Sequence, residues 1–278
     1  MTSQRLDFTT LAGLAVAVLG ILGGLLLEGG KLSDVSQLTA ALIVLGGTAG
    51  AVMVTTPAHL LTSAVKKLPD IFWHPVFSAD FSIRQIQQFA VKARRSGLVS
   101  LDTEANSIED SFLRKALTLV IDGVDPKEVR RLMEVEIILA EQHGEAEAKV
   151  FDCAGGYAPT VGIIGAVLGL IQVMKHLEDL EVVGHGIAIA FVATVYGVSL
   201  ANVFFLPAAN KLRARLRLAI QMKELALEGV IAMAEGVNPR LIESRLEPFK
   251  QVVGESAAKG GRERRLAART AAAQGSAS

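Results

Sequence analysis

A covalent reaction needs a nucleophile, an acid and a base, or a metal set gathered by the fold, and this sequence offers none of these in a recognisable pattern. The five histidines (His59, His74, His143, His176 and His185) are scattered without ligand spacing. Cys153 is the single cysteine, so it has neither a disulfide partner nor a companion thiolate for a metal, and reads as a small apolar residue. No glycine-rich phosphate loop follows a strand pattern. The residues that invite chemistry are Pro159 with Thr160, and Thr194 followed by Pro207. All four stand in long stretches without Asp, Glu, Lys or Arg. A hydroxyl in such surroundings can solvate an ion. A proline deletes one backbone hydrogen bond, so it can end or bend a helix and free a carbonyl to line a path. Gly162, Gly165 and Gly169 accompany the first pair at helical spacing, and Ala190, Gly197 and Ala201 accompany Thr194. Faces this small let helices approach closely, within a chain or between copies. The chemistry to look for is ion passage rather than bond making.

The elements that must hold these residues are membrane helices. Of 278 residues, 51% are apolar and 20% charged, and the mean hydropathy of +0.42 is high for a soluble domain. The apolar residues are segregated into four charge-free stretches: Phe8 to Leu27, Val35 to Val65, Cys153 to Met174 and Val182 to Asn210. Each reaches the roughly 20 residues that cross about 30 Å of hydrocarbon. An ordinary soluble enzyme is thereby excluded. The transmembrane helices are expected at about 8–27, 36–56, 154–174 and 187–208. The first is too long for a signal-peptide core, and Leu27-Glu28-Gly29-Gly30 makes a poor cleavage site, so it reads as a retained span.

The zero net charge is a sum over separated regions. Of 28 Lys and Arg, 12 lie between Lys66 and Lys149 and 13 between Lys211 and Arg269, whereas the two other loops hold only Lys31 and Lys175. The positive-inside rule then puts both termini and the large middle region in the cytoplasm, and Arg5 agrees.

The middle region, 57–152, has soluble composition and reads as a cytoplasmic helical domain. Ser82 with Gln85 has the form of a capping box, opening a helix with Ile83, Ile86, Phe89, Ala90 and Ala93 on one face and Gly97 at its end. A second helix is expected from about Ile108 to Ile121, stopping at Gly123. Asp125-Pro126-Lys127-Glu128 then starts a long helix that runs toward the third span. Pro57 is expected to end the second span. Residues 209–253 read as cytoplasmic C-terminal helices, the last beginning at Asn238-Pro239, and 254–278 as a disordered tail lacking bulky apolar residues. No segment alternates convincingly as a strand, so the fold class is all-α, a polytopic membrane protein.

A protein that moves ions normally keeps an ionisable group at membrane depth. None of the four spans has a carboxylate, so the small-residue faces serve either close helix packing alone or a groove whose hydroxyls solvate an ion while a partner supplies the charge. Here the residues resemble a known family. Tyr157-Ala158-Pro159-Thr160-Val161-Gly162-Ile163-Ile164-Gly165-Ala166-Val167-Leu168-Gly169-Leu170 looks like the third-span signature of flagellar motor stator A subunits, the MotA group of the MotA/TolQ/ExbB superfamily. Phe191-Val192-Ala193-Thr194-Val195-Tyr196-Gly197-Val198-Ser199-Leu200-Ala201-Asn202, followed by Pro207, is similar to its fourth span. Ala93-Arg94-Arg95-Ser96-Gly97-Leu98 resembles a cytoplasmic motif, and Glu235-Gly236-Val237-Asn238-Pro239 the close of the tail helix.

The resemblance implies five A subunits around two B subunits, each B subunit carrying the ion-binding aspartate on its single membrane helix. Pro159 and Pro207 match the family prolines that couple ion passage to movement, and Thr160 and Thr194 match hydroxyls near the partner's aspartate. Arg94 and Asp102 match the basic and acidic residues facing the rotor's switch ring, with Asp where the family usually has Glu. Gly162, Gly165, Gly169 and Gly197 would pack helices in the ring of copies. The implied protein is no enzyme, has no cofactor or metal, does not bind nucleic acid, and sits in the bacterial inner membrane. The transported ion reads as H+ rather than sodium, because Ala193 stands where sodium-using relatives tend to have a second threonine. Two alternatives remain at this stage: an energiser of the ExbB or TolQ type, which the four spans and basic N-terminus disfavour, and a passive membrane scaffold.

Overall fold

The computed structural model describes residues 4–75 and 79–250; the expected tail, 254–278, lies outside them. In chain order the elements are β1 (Gln4–Leu6), α1 (Phe8–Leu27), a 3-10 turn (Leu32–Val35), α2 (Leu38–Ala41), a π turn (Leu42–Gly46), α3 (Gly47–Thr55), α4 (Ala58–Lys66), α5 (Leu68–Phe72) and β2 (Trp73–Pro75). They continue with α6 (Ala79–Ser96), a 3-10 turn (Leu98–Leu101), α7 (Asp102–Ser107), α8 (Ser111–Ile121), α9 (Pro126–Lys175), α10 (Leu180–Ser199), a second π turn (Leu200–Phe205) and α11 (Leu206–Ala234). Residues 239–250 form α12. The all-α class is borne out. The one addition is the pairing of β1 with β2, whose three residues apiece are too few to show alternation.

Among the described residues, four helical runs are long and apolar enough to cross a membrane: Phe8–Leu27, Leu32–Thr55, Pro126–Lys175 and Leu180–Ala234. The chain divides into two units, 5–74 with 144–214, and 75–143 with 215–250.

In the first unit α1 has no buried residue, and Phe8, Val16 and Leu19 are 70–75% exposed. A helix apolar all round and uncovered is built for lipid or further protein. The unit's inner contact is between the membrane parts of α9 and α10, and it is made by glycines. A Cβ placed on Gly162 would lie 2.8 Å from the Ala193 carbonyl oxygen, one on Gly169 2.7 Å from that of Gly186, and one on Gly165 2.8 Å from the Ala193 Cβ. On the other helix a Cβ on Gly197 would run into the Ala158 carbonyl. The two backbones touch, and no side chain fits between them. Residues expected to pack a ring of copies are thus filled by the neighbouring helix of the same chain. Ala40 and Val44 of the second span pack on Val192 and Ala193. The Tyr196 hydroxyl donates to the Val35 carbonyl and lies 3.4 Å from the Gln37 amide, where that span begins. Gly20, Gly24, Gly46 and Gly50, paired by spacing, face open space.

In the second unit the middle region and the C-terminal helices share one core. Ile83 and Ile86 of α6, Leu101, Phe112 and Leu117, Val129 and Met133 of α9, Leu225 and Ile231 of α11, and Ile242 and Leu246 of α12 are all fully or almost fully buried. Local signals account for most boundaries. Asp125 accepts from the Lys127 amide at 2.8 Å, and Asn238 from the Arg240 amide at 3.1 Å. Gly97, Gly123 and Gly236 close α6, α8 and α11 at φ of 82°, 81° and 72°, a backbone region that favours a residue without Cβ.

Two boundaries differ from expectation. α6 begins at Ala79, so Ser82 and Gln85 lie inside it. α8 begins at Ser111 because Asp110 caps the Phe112 and Leu113 amides at 2.9 and 3.3 Å, and the short α7 precedes it. The second span ends at Thr55, two residues before Pro57, which stands just ahead of α4. Replacing Gly197 with Val should destabilise the protein by about 1–3 kcal/mol, the cost of overpacking a tight contact, whereas Gly20→Val should leave it unchanged. Thermal unfolding of the two variants in detergent checks this.

Candidate functional site in the membrane helices

Neither proline ends its helix. Pro159 lies inside α9 and Pro207 at the start of α11, which continues α10 through the second π turn. Proline has no N–H and its ring crowds the carbonyl four residues earlier, so something upstream must give. Ahead of Pro207 that adjustment is the π turn Leu200–Phe205, a wider helical turn of the kind that often marks functional sites. Its far edge is held by a close approach, since a Cβ on Gly155 would lie 2.6 Å from Leu206.

The glycine contact sets the register of the candidate residues. Gly162 faces Thr194 and Gly197, so the turn carrying Pro159 and Thr160 packs opposite the turn carrying Thr194. Pro207 lies 13 residues beyond Thr194, about 20 Å along the helix axis, so the four residues do not converge on one point. Thr160 is exposed and donates to the Tyr157 carbonyl at 2.8 Å. Thr194 is half-buried and donates to the Ala190 carbonyl at 3.1 Å. Both hydroxyls spend their proton on their own helix and turn lone pairs outward. Thr160 shares its face with Ile163, Ile164 and Val167, and Thr194 sits among Phe191, Val195 and Val198, all exposed. Each hydroxyl therefore lies in an exposed apolar face of its own helix, a face able to receive a helix that carries one ionisable group.

Arg94 and Asp102 lie in the other unit. Arg94 is in the last turn of α6, Asp102 opens α7, both are exposed, and among the described residues neither makes an ion pair. Two residues from each sits a bonded pair that sequence spacing did not suggest: Lys92 of α6 donates to Glu104 of α7. The hydrogen bond from Lys92, with a backbone N–H and the Lys92 charge, holds the Glu104 carboxyl below the usual carboxylate range. The pair braces the corner on which Arg94 and Asp102 are displayed.

A second missed feature stands where α1 begins. Asp7, 6% exposed, caps α1 by accepting from the Thr9 and Thr10 amides at 3.1 and 3.4 Å. Its own amide donates to the Phe72 carbonyl at 2.7 Å, and Lys211 of α11 pairs with it at 2.5 Å. Burial alone would push the carboxyl up. The hydrogen bonds from Lys211 and Thr9, the Lys211 charge and the Thr10 amide outweigh that and hold it well below the usual range. A depressed carboxylate stabilises the fold above the unfolded-state pKa, about 3.9, and that contribution is lost as pH falls toward the folded value. Thermal melts of the wild type and Asp7→Asn should therefore differ near neutrality and converge as pH drops below about 4.

The comparisons agree with this geometry. The family model for the MotA/TolQ/ExbB proton channel family matches residues 104–225, and that for the motility protein A N-terminal region matches 11–95. Motility protein A of Bacillus subtilis is 33% identical over 87% of this chain and 90% of its own length. Among solved structures, C. jejuni MotAB superposes with a TM-score of 0.83 at 34% identity, covering 87% of this chain and 95% of that one. The flagellar MotAB stator complex of Bacillus subtilis gives 0.80 at 32%, with the same coverage. With its glycine-packed third and fourth spans, its two in-helix prolines and these relatives, the chain belongs to the MotA/TolQ/ExbB proton channel family, in its motility protein A group.

Proposed function

We propose that the chain works as the A subunit of a flagellar motor stator, joining a MotB-type partner to form a proton channel and turning the transmembrane gradient into torque on the rotor. The observation that carries this reading is the pair of exposed apolar faces, one on α9 with Thr160 and one on α10 with Thr194, that bear a hydroxyl each and no carboxylate. A partner helix laid against them would supply the aspartate. Ionised, that carboxylate is costly among the apolar residues; protonated, it can donate to a hydroxyl lone pair and pass over them. One charge moved through 100 mV supplies about 2.3 kcal/mol, enough to bias each step. Five A subunits around two B subunits cannot satisfy both aspartates alike, so each protonation would relieve one mismatch and create the next. Pro159 and Pro207 would turn that cycle into helix movement, and Arg94 and Asp102 would hand it to the switch ring through complementary charge. The assembly would sit in the bacterial inner membrane with both termini in the cytoplasm.

Pro159→Leu and Thr194→Ala should reach the membrane at wild-type levels and assemble with the partner, yet fail to restore swimming to a strain lacking the chain. Normal swimming by both would remove the coupling role. Reversing Arg94 to Asp should impair rotation and be rescued by an opposite reversal on the switch-ring protein. For the ion, the rotation speed of tethered cells should collapse with a protonophore and ignore sodium; the opposite pattern would assign sodium.

A further inference from the structure

The fourth membrane helix carries three features within twelve residues: the π turn Leu200–Phe205, Pro207 and Lys211. Taking one residue out of a π turn restores α geometry and swivels everything beyond it by about 100°. Which part swivels depends on what each side is fastened to, and the two sides differ. A cavity of about 320 Å³ separates the helix from α1, with Thr10 and Leu14 on one wall, Asn202, Val203, Phe204 and Pro207 on the other, and Lys211 closing it beyond Pro207. On the cavity side Asn202 is exposed and Val203 and Phe204 are half-buried, whereas Ala201 is buried and Phe205 and Leu206 lie close to Gly155, so the turn has room to move on its α1 side alone. On the far side, one turn past Pro207, Lys211 closes on Asp7. Asp7 is itself held by the α1 cap and by the Phe72 carbonyl next to the β1–β2 pairing.

We propose that Asp7 and Lys211 are positioning residues for torque generation: a fixed clasp ties the segment after Pro207 to the start of α1, and the working movement is confined to the π turn, which closes into the cavity. The clasp gives the hinge something to push against. A buried carboxylate left without its cation is costly, so the bond is not casually broken in each cycle. The proposal rests on the reading of Pro207 as a coupling hinge.

The test uses the full chain with its partner subunit in motile cells, in a Cys153→Ala background, with two cysteine pairs bridged by a short bis-methanethiosulfonate linker. One pair, Asp7→Cys with Lys211→Cys, puts a covalent link where the clasp is. The other, Leu14→Cys with Val203→Cys, spans the cavity. Loss of maleimide labelling reports that each link has formed, and tethered-cell rotation is read before linking, after it, and after reduction. The clasp link should keep or restore rotation, and the cavity link should stop it until reduced. A clasp link that stops rotation, a cavity link that leaves it running, or a pair beyond the linker's reach would overturn the proposal. Charge exchange provides an independent reading. Asp7→Asn and Lys211→Met should each lose part of the swimming speed at normal membrane abundance, and Asp7→Lys with Lys211→Asp should recover it. Full speed in both single variants, or no recovery in the exchange, would overturn the proposal. Pro207→Leu separates the two layers: full rotation in that variant removes the coupling role of Pro207 itself, whereas a stalled Pro207→Leu with a tolerated cavity link or an inactive clasp link overturns the proposal and leaves that role standing.

Discussion

Everything in the membrane unit depends on two backbones being allowed to touch. Gly162, Gly165 and Gly169 on α9 meet Gly186, Ala190, Ala193 and Gly197 on α10 with no room for a Cβ at the glycines. In lipid there is little hydrophobic gain from burying one apolar helix against another, so close van der Waals approach has to supply the association. It also fixes the register, and the register places the turn with Pro159 and Thr160 beside the turn with Thr194. On α9 the face away from the seam is then left for Thr160 and bulky exposed residues, and on α10 Thr194 stands at the edge of the seam beside its own exposed residues. One set of glycines therefore decides both what is packed and what is presented.

The remaining charge logic follows from keeping the spans clean. Each ion pair of the membrane unit lies outside the charge-free stretches. Arg213 reaches Glu145 at 2.6 Å and also bonds Asp152, and Asp7 is joined to Lys211. In the other unit Arg130 bonds Glu228 at 2.8 Å, while Lys92 and Glu104 brace the corner below Arg94 and Asp102. Among the described residues Arg94 and Asp102 make no ion pair, and exposed charge of this kind favours long-range complementarity with another protein.

Much of this was legible in the sequence because its signals are local. Asp125-Pro126, Gly97, Gly123 and Asn238-Pro239 mark boundaries with residue types that suit few other backbone states. The four spans follow from the absence of charge. Ser82-Gln85 misled because a serine inside a helix can face solvent without capping anything, and Asp110, two residues past the expected start, had the stronger claim to α8. The π turns left no trace, since Leu200–Phe205 has the composition of any apolar helix and only the proline after it hints at strain. Asp7 with Lys211 was invisible for a different reason. Each reads alone as a charge flanking a span, and their pairing is a property of how the first and fourth helices sit side by side. The glycine faces were found, but which helix they face could be read only from the fold.

The Tyr196 hydroxyl, bonded to Val35 and near the Gln37 amide, works as a depth stop for the second span. Ala40 and Val44, about one and two turns beyond Gln37, pack on Val192 and Ala193, and a Cβ on Gly165 of α9 would meet Ile43 at 3.3 Å. The entrance of the second span is thereby tied to the helix that carries Thr194, so a shift of α10 would carry that entrance with it.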